Sequence, residues 1–510
     1  MPSLEVEIEM VTPTSSNPGG TNAKFYISDH GHIGANGEYY HGFIQKAPNL
    51  KLQDTGSGEI QMSGASIVLT NEPNNANHPF GQSNYTKILS DSGPYFIGIK
   101  YKSNFNLFEG QLFIQAIDSE SIRCSIKTIR SGDDTPGFGA AGEITNTDQI
   151  VPYYFGSIVK SEAKRNDINA SLYDNISGSA VKTVLYFMNL TNTTPSIFVN
   201  GNSSTWGSTG SIRYSPDART DGEPGSTRIA SYQSTNEYPD DTAFQFSASG
   251  MKNSLTLTTT TAGTTFLDLA EFVVYSSSKD GRGVATLTDD NFYILENNSV
   301  NSDKTGTSPT IGVLIEDLTQ LSIDFLRVVS LSVNYQFYML PSQTDGEREL
   351  TIIDKANSPS SSSAFYRSIS ENDVLSLVIR GPQEIRRILG SFTYYDSFNS
   401  EGLNELTGHR EVVLNSTGKD LKFDASITSL DSVTNLTNVL SGMKTFYQKS
   451  SVNAEINDLH DEWRPGDRVV FNRRDEFVNV DMIIRSIEWN FNDLTTTIEG
   501  DATLTPYVQE

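Results

Sequence analysis

The sequence predicts a mainly β protein of several domains with a minor helical component. Its length of 510 residues is enough for about three or four domains with cores of their own. Tyr and Phe number 22 and 26, and together with many Val, Ile and Thr residues they favour strands. Short runs in which apolar and polar residues alternate recur along the chain, separated by turns rich in Gly, Ser and Asn. Such runs are typical of antiparallel sheets.

The clearest strands lie between residues 452 and 500. Apolar residues alternate with polar ones through much of this stretch, and each break carries residues that favour turns. Pro465 presets φ, Gly466 tolerates a positive φ, and Asn492 and Asp493 can bond to their own backbone. The pattern predicts an antiparallel meander of about four strands, with one face packed on the core and one face exposed to solvent.

The first part of the chain is also rich in strands. Residues 4–10 alternate cleanly between apolar and acidic side chains, and further short strands are expected within 24–70 and 95–129. Strands at this spacing favour a small barrel or sandwich. Cys124 is the only cysteine, which excludes a disulfide within the chain, and its strand context predicts a buried apolar side chain.

Helices are expected at three places. Residues 265–275 and 431–447 carry apolar residues at steps of three and four. The most regular pattern predicts a helix over 311–330, about 30 Å long, with Ser308 as N-cap and Pro309 at the first position. Its apolar stripe consists of Leu314, Leu318, Leu321, Phe325 and Val328.

Two composition changes predict the domain boundaries. Residues 132–147 are rich in glycine without periodicity, and 358–363 is a serine-rich linker. We therefore expect four units: an N-terminal β domain at 1–148, a β-rich insertion at 149–308, a helix plus hairpin at 309–357, and a C-terminal domain at 364–510.

The charge balance argues against several classes of partner. The formal net charge is −25, and no basic run exceeds a pair of arginines, so specific binding of nucleic acid in an exposed groove is not expected. The N-terminus lacks the basic and apolar regions of a signal peptide. No apolar run approaches the length of about 20 residues that spans a bilayer. We expect synthesis in the cytoplasm and no stable membrane insertion.

The densest group of metal-type ligands is Asp29-His30-Gly31-His32, with Glu38 and His41 nearby. Zinc accepts His and carboxylate ligands, but the segment is a glycine-rich loop without a second fixed ligand pair, which favours polar turn residues over a metal site. Two acidic segments, 217–223 and 289–291, could offer oxygen ligands to calcium without the spacing of an EF-hand. The prediction is therefore that the chain holds no metal and no cofactor.

Nothing in the sequence singles out a catalytic residue. A Gly-x-Ser-x-Gly motif is absent, and no pair of carboxylates stands out from an acidic chain. Trp206 lies in a loop of small polar residues, where an aromatic ring could stack on a sugar or anchor its own loop. Trp463 and Trp489 are expected to be core or interface residues. The protein is therefore not expected to be an enzyme.

Three features together resemble the tail-hub, or baseplate-hub, proteins of tailed bacteriophages. The first is the Arg-Pro-Gly-Asp sequence at 464–467 before paired strands and a closing Thr-Thr-Thr-Ile-Glu. The second is the stripe at 311–330 followed by strands at 335–338 and 350–354. The third is Leu-Phe-Glu-Gly followed by the strand 111–117. The resemblance covers about the first quarter and the last two fifths of the chain.

The resemblance implies a structural virion protein located at the tail tip or baseplate. It implies a homotrimer in which each chain supplies two tube-like antiparallel β-barrels, one near each chain end. The ring would join the tail tube or a distal-tail ring to a tip or spike protein. DNA would pass through its channel, where carboxylates would repel phosphate. A receptor- or carbohydrate-binding tail protein, a distal-tail adaptor and a polysaccharide-degrading tail enzyme are the alternatives.

Overall fold

A computed structural model confirms the mainly β, multi-domain fold. The structure describes residues 4–14, 17–62, 65–82, 84, 95–102, 105–128, 153–156, 158–162, 164–167, 182–189, 196–199, 210–213, 227–234, 256–260, 265–267, 270, 299–306, 308–309, 311–315, 322–342, 348–399, 402–425, 429–430, 433–476 and 478–507. Within this part of the chain, strands far outnumber helices.

The N-terminal region folds into one sheet of nine strands plus a two-strand arm. The strands are β1 (Leu4–Thr14), β2 (Asn17–Ser28), β3 (His32–Ile33), β4 (Tyr39–Gly42), β5 (Ile44–Lys46), β6 (Asn49–Asp54), β7 (Ile60–Met62), β8 (Ala65–Thr70), β9 (Tyr95–Tyr101), β10 (Phe108–Ile117) and β11 (Ser121–Thr128). The sheet has the order β3-β4-β2-β1-β9-β10-β11-β8-β5. Strict alternation in β9, whose odd-numbered side chains are buried, places one face of the sheet on the core.

The two ends of this sheet meet on one short segment. Only Phe43 separates β4 from β5, and β4 pairs with β2 while β5 pairs with β8. Residues 39–46 therefore contribute a strand near each end of the sheet, β4 next to the terminal strand β3 and β5 as the terminal strand at the other end. The predicted tube-like barrel requires such a meeting of edges, and the barrel itself stays a prediction.

The middle of the chain is described mainly through its backbone. Its strands are β12 (Tyr153–Gly156), β13 (Ile158–Glu162), β14 (Lys164–Asp167), β15 (Lys182–Asn189), β16 (Ser196–Val199), β17 (Gly210–Arg213), β18 (Thr227–Ser234) and β19 (Thr256–Thr260). They form a three-stranded sheet and most of a seven-stranded sheet. Of the helix expected over 265–275, residues 266, 267 and 270 are helical, and the others lie outside the described residues except Thr265.

The long helix predicted over 311–330 is wrong in its first part. This region contains β20 (Ser299–Lys304), β21 (Ile311–Ile315), the helix α1 (Ser322–Ser332), β22 (Tyr335–Pro341) and β23 (Arg348–Asp354). Residues 311–315 are a strand because they pair with β12 in the insertion, a partner that lies far away in sequence. The buried face of α1 is Leu326 and Val329, whereas Val328 of the predicted stripe is 36% exposed.

The C-terminal region supplies the remaining strands and the second described helix. These are β24 (Tyr366–Ser368), β25 (Val374–Arg380), β26 (Ile385–Asn399), β27 (Gly402–Val413), β28 (Lys419–Asp424), β29 (Ser429–Leu430), α2 (Val433–Tyr447), β30 (Ser450–Asn457), β31 (Arg468–Arg473), β32 (Val478–Asn490) and β33 (Thr495–Pro506). Helix α2 begins within two residues of the predicted start and ends where predicted.

The four closing strands are confirmed, but the meander order is not. The sheet order is β24-β31-β32-β33-β30-β25, so β30 pairs with β33 and not with its successor β31. The connection from β30 to β31 covers residues 458–467, which is longer than the tight turns that join hairpin neighbours. This connection crosses from one side of the sheet to the other.

The same five-part pattern occurs twice in the chain. In the N-terminal half, residues 44–54, which contain β5 and β6, pair with residues 60–70, which contain β7 and β8. Strand β8 also pairs with β11. Strands β11, β10 and β9 are then antiparallel neighbours in that order. In the C-terminal half, β25 pairs with β30, which pairs with β33, and β31, β32 and β33 follow in the same way. Both sets have the same chain order and the same neighbours.

Two hydrophobic cores run through the described residues. One joins side chains of the N-terminal sheet, such as Val6 and Ile99, with side chains of the C-terminal sheet, such as Val452 and Ile487. The other contains Phe266, Leu326 and Ile352, and it extends to Ile388 and Leu440. The domain boundaries expected from the sequence stay a prediction.

Candidate assembly interface

The two-strand arm of the N-terminal region, β6 and β7, is joined to the C-terminal sheet by strand pairing. Strand β6 pairs antiparallel with the second half of β32, with Leu52 opposite Ile487 and Asn49 opposite Asn490. On its other side β6 pairs with β7 of its own half. We call this contact between β6 and β32 the seam. It places two equivalent strand sets side by side in one chain.

Asn492 fastens one end of the seam. Its Nδ2 donates to the carbonyl oxygen of Ala47 at 3.0 Å, and its Oδ1 accepts from the backbone N–H of Ala47 at 3.1 Å. Farther along, the backbone N–H of Asp54 donates to Ser486 Oγ at 3.2 Å. The sequence indicated Asn492 only as a turn residue, because nothing local points to a partner more than 400 positions away.

A second contact between the halves lies at the start of the connection 458–467. Lys102 Nζ binds both carboxylate oxygens of Asp458, at 2.8 and 2.9 Å. The neighbouring Tyr101 ring packs edge-on against Phe491, with centroids 5.8 Å apart. The ion pair is partly exposed and stabilises the fold by at most about 1 kcal/mol, so the apolar contact is the larger contribution.

The two tryptophans of this region are buried, as predicted. Trp489 Nε1 donates to the carbonyl oxygen of His460 at 2.8 Å, and the imidazole of His460 stacks on Trp463 with centroids 3.9 Å apart. Arg464 lies over the Trp489 ring and donates to the carbonyl oxygens of Asp461 and Trp463. The connection 458–467 is thus held against β32 by the hydrogen bond from Trp489 to His460 and by the contact of Arg464 with the Trp489 ring.

The turn at 464–467 buries an ion pair. Lys304 Nζ lies 2.7 Å from Asp467 Oδ1 and donates to the carbonyl oxygen of Pro465 at 2.9 Å. Asp467 Oδ2 accepts from the backbone N–H of Arg464 at 3.3 Å and lies 3.5 Å from Arg367 Nε. Burial alone would lower the pKa of Lys304, but its contacts with Tyr338 and Asp467 raise it. Lys304 is therefore charged. It lies at the end of β20, which pairs with β23, and it fixes the turn at 464–467 to these strands.

Nothing in the sequence predicted a role for Lys304. It lies in the polar run Asn301-Ser302-Asp303-Lys304, which is typical of an exposed turn. Gly466, in contrast, has the positive φ that the sequence predicted, +86°. A Cβ atom at this position would lie 2.8 Å from Lys304 Cδ and 3.2 Å from Ile353 Cδ1. The turn therefore needs glycine for both conformation and space.

Asp461 is a buried carboxyl group beside the seam. Burial, with a smaller effect of Glu462, raises its pKa to about 7, and the nearby cations Arg464 and Lys102 oppose that rise only in part. In the unfolded chain Asp461 has its ordinary pKa of about 3.9. Between these two values the unfolded chain loses this proton while the folded chain keeps it, so Asp461 destabilises the fold as pH rises from about 4 to about 7.

We therefore expect Asp461→Asn to raise the free energy of unfolding at pH 8 by about 2–4 kcal/mol. At pH 4 the substitution is expected to have little effect, because both side chains are then neutral. Urea unfolding at pH 4, 6 and 8 measures the difference in the free energy of unfolding between the two proteins. The contributions of all other carboxylates are the same in both proteins and cancel in this difference. An equal effect of the substitution at every pH would contradict this assignment.

One edge of the C-terminal sheet is apolar and exposed. Strand β25 pairs with β30 on one side, and no strand within the described residues pairs with its other side. Leu375 and Val378 are each 50% exposed, and Ile379 is 39% exposed. Charge and bulges on an edge strand oppose pairing with another strand, and β25 has both, a register shift between Val374 and Ser376 and Arg380 at its end.

Of the histidines at 30, 32 and 41, the first two lie close together, with ring centroids 5.4 Å apart. His30 Nδ1 lies 2.9 Å from Asp29 Oδ1, His32 Nε2 lies 3.0 Å from Glu5 Oε1, and His41 stacks on Phe43. The described residues contain no group of three or more His, Cys, Asp or Glu side chains that could hold a metal ion. Cys124 is 1% exposed, and burial raises the pKa of its thiol to about 12.

The other candidates from the sequence lie outside the described residues. These are the acidic segments 217–223 and 289–291 and the loop tryptophan Trp206. No helix in the described part of the chain has the length and apolar character needed to cross a bilayer.

Comparisons with known proteins give structural likenesses only. No family model and no curated protein matches the sequence. The structure is similar to the 43 kDa tail protein of prophage MuSo2 from Shewanella oneidensis, with a TM-score of 0.42, 8% identity and 98% of each chain covered. It is also similar to a tail protein from Neisseria meningitidis MC58, with a TM-score of 0.42, 8% identity, and 98% of this chain and 96% of that chain covered.

A third likeness is to a prophage tail protein from Listeria monocytogenes EGD-e, with a TM-score of 0.38, 8% identity, and 98% of this chain and 94% of that chain covered.

Proposed function

We propose that this chain is a structural protein of a bacteriophage tail: a hub that joins the tail tube to the distal tip as a homotrimer. The seam between β6 and β32 carries the proposal. It shows that two equivalent strand sets of this chain are built to lie edge to edge. Units that contact each other through two different surfaces generate a closed ring when the rotation from one unit to the next adds up to a full turn.

Three copies of the chain would contribute six strand sets to such a ring. A ring of six similar units matches the hexameric tail tube that the resemblance implies for the proteins above a hub. The tube or distal-tail ring would bind one face of the trimer, and a tip or spike protein would bind the other. The chain would then act by packing and subunit contact, without catalysis and without a bound cofactor or metal.

The net charge of −25 suits the wall of a DNA channel. Carboxylates that face the lumen would repel the phosphates of passing DNA, so that the genome slides through without binding. An electrostatic map of the assembled ring with a net-positive channel would contradict this part of the proposal.

The oligomeric state of the purified chain tests the proposed function directly. We expect light scattering coupled to size exclusion to give the mass of three copies of the 56.1 kDa chain. Negative-stain images should then show a ring with a central opening. A monodisperse monomer at concentrations of about 10 µM, where stable specific complexes remain associated, would overturn the proposal.

A further inference from the structure

Residues 72–82 form a closed loop shortly after β8. The backbone N–H of Gln82 donates to the carbonyl oxygen of Pro73 at 2.6 Å, and this bond joins the two ends of the loop. Further backbone hydrogen bonds between residues three apart fill the interval. Compact loops of this kind keep their shape by packing their own side chains, so the contacts of those side chains decide whether the loop stays closed.

Two rings of this loop are fully buried against the N-terminal sheet. His78 and Phe80 are each 0% exposed. The His78 ring lies 4.8 Å from Phe43, and the Phe80 ring lies 5.3 Å from Tyr95, measured between centroids. Tyr95 on β9, and His41 on β4, which stacks on Phe43, are the titratable side chains that the strands bring to this group. The loop thus covers the residue that links β4 to β5.

The hydrogen bond of His78 requires a neutral ring. The backbone N–H of Phe80 donates to His78 Nδ1 at 3.1 Å, so Nδ1 accepts and carries no proton. In the charged imidazolium form both ring nitrogens carry protons, and neither can accept. A proton on Nδ1 would therefore face the N–H of Phe80, donor against donor, and would place a charge in a fully buried ring. The closed loop holds His78 only in its neutral form.

The charge nearest to His78 does not offset its burial. Burial lowers the pKa of His78 to about 4, and Glu72 and the backbone of Thr70 oppose that lowering only in part. The Glu72 carboxylate also accepts from Thr70 Oγ1 at 3.3 Å and from Asn75 Nδ2 at 2.7 Å. A histidine exposed to water has a pKa of about 6.5. As pH falls from about 6.5 to about 4, an open loop binds a proton that the closed loop does not, so the closed form loses stability relative to the open form.

We propose that residues 72–82 are an acid-sensitive switch: uptake of one proton by His78 opens the loop and uncovers Phe43 and Tyr95 while the strands beneath stay paired. The strands are held by backbone hydrogen bonds from β8 to β11 and from β9 to β10, which contain no titratable group. The uncovered rings form an apolar surface that is available to a partner in acid and covered at neutral pH. The inference goes beyond the proposed function, because one chain contains every group that the switch uses.

Hydrogen exchange followed by mass spectrometry tests the switch, because it measures local opening directly. Protection is the slowing of amide exchange relative to an unstructured peptide at the same pH. We expect the protection of residues 72–82 to fall roughly fiftyfold between pH 7 and pH 4.5. Peptides from β9 and β11 should keep their protection. Constant protection of the loop would overturn the proposal. Loss of protection in β9 and β11 at the same pH would also overturn it, because the domain would then unfold as a whole.

His78→Asn separates the titration of His78 from that of every other group. The amide oxygen of asparagine lies where Nδ1 lies in histidine, and it accepts a hydrogen bond without taking up a proton. Asn75 makes such a bond within the same loop. The variant loses the ring contact with Phe43, so its protection at pH 7 is expected to be lower, but it should not change between pH 7 and pH 4.5. His409→Asn, at an exposed position of β27, is the control and should behave as the wild type does.

Each outcome of the variant decides the role of His78. A loop that opens in acid as strongly in His78→Asn as in the wild type overturns that role. If the variant cannot close even at pH 7, the wild-type chain decides. A fall in protection that begins near pH 6.5 supports His78 as the switch, and a fall that begins only near pH 4.5, where carboxylates titrate, overturns it.

Discussion

Gly466→Val is expected to lower the free energy of unfolding by about 2–5 kcal/mol. The left-handed conformation at φ +86° costs a non-glycine residue about 1–2 kcal/mol. Crowding by the new side chain against Lys304 and Ile353 adds the cost of an overpacked core, about 1–3 kcal/mol. Urea unfolding at pH 8 measures the sum. The trimer fraction should fall with stability, because this turn fixes the connection that packs beside the seam.

A second glycine separates the two costs. Gly37 has nearly the same φ, +81°, and a Cβ atom there would meet nothing within 4 Å. Gly37→Val should therefore show the conformational cost alone, about 1–2 kcal/mol. Equal effects of the two substitutions would mean that the contacts of Gly466 with Lys304 and Ile353 do not matter.

Asp467→Asn is expected to cost about 3–5 kcal/mol of the free energy of unfolding, because it leaves the buried ammonium group of Lys304 without its carboxylate. Lys304 lies 2.7 Å from Asp467 Oδ1, and Arg367 Nε lies 3.5 Å from Oδ2. Lys304→Met is expected to cost a similar amount, about 3–5 kcal/mol, because it leaves the buried carboxylate of Asp467 without its nearest cation. It also removes the hydrogen bond to the carbonyl oxygen of Pro465.

The double variant Lys304→Met with Asp467→Asn completes a thermodynamic cycle. If the two residues form one buried pair, the double variant should lose less free energy of unfolding than the two single variants lose together. The expected difference is about 1–3 kcal/mol. Arg386→Met with Asp420→Asn is the control pair: it also holds a short ion pair, at 2.7 Å, but both side chains are partly exposed. Additive effects at the Lys304–Asp467 pair would contradict the buried ion pair.

Local pattern was sufficient for strands that lie next to their partners in sequence. The alternation in 452–500 and the turn residues Pro465 and Gly466 predicted β31, β32 and β33, because hairpin neighbours are set by local geometry. The apolar steps of three and four in 431–447 predicted α2. In these segments the local preference and the tertiary contacts favour the same structure.

Distant partners explain what the sequence did not show. Residues 311–315 have a helical pattern, yet they form a strand because β12 offers an edge more than 150 positions earlier. The seam depends on Leu52 meeting Ile487, and no local feature of either residue marks that contact. Lys304 lies in a polar run that predicts exposure. Its burial follows from the turn at 464–467, where the Asp467 carboxylate and the carbonyl oxygen of Pro465 bind its ammonium group.

The fluorescence of the tryptophans beside the seam reports on the contact between the two halves of the chain. Two of the three tryptophans lie there, with Trp489 fully buried and Trp463 stacked on His460 at 3.9 Å. Their ultraviolet emission depends on contact with water and with the imidazole ring. A shift of that emission to longer wavelength before the backbone loses its circular dichroism would therefore reveal that the two halves of the chain had separated while each was still folded.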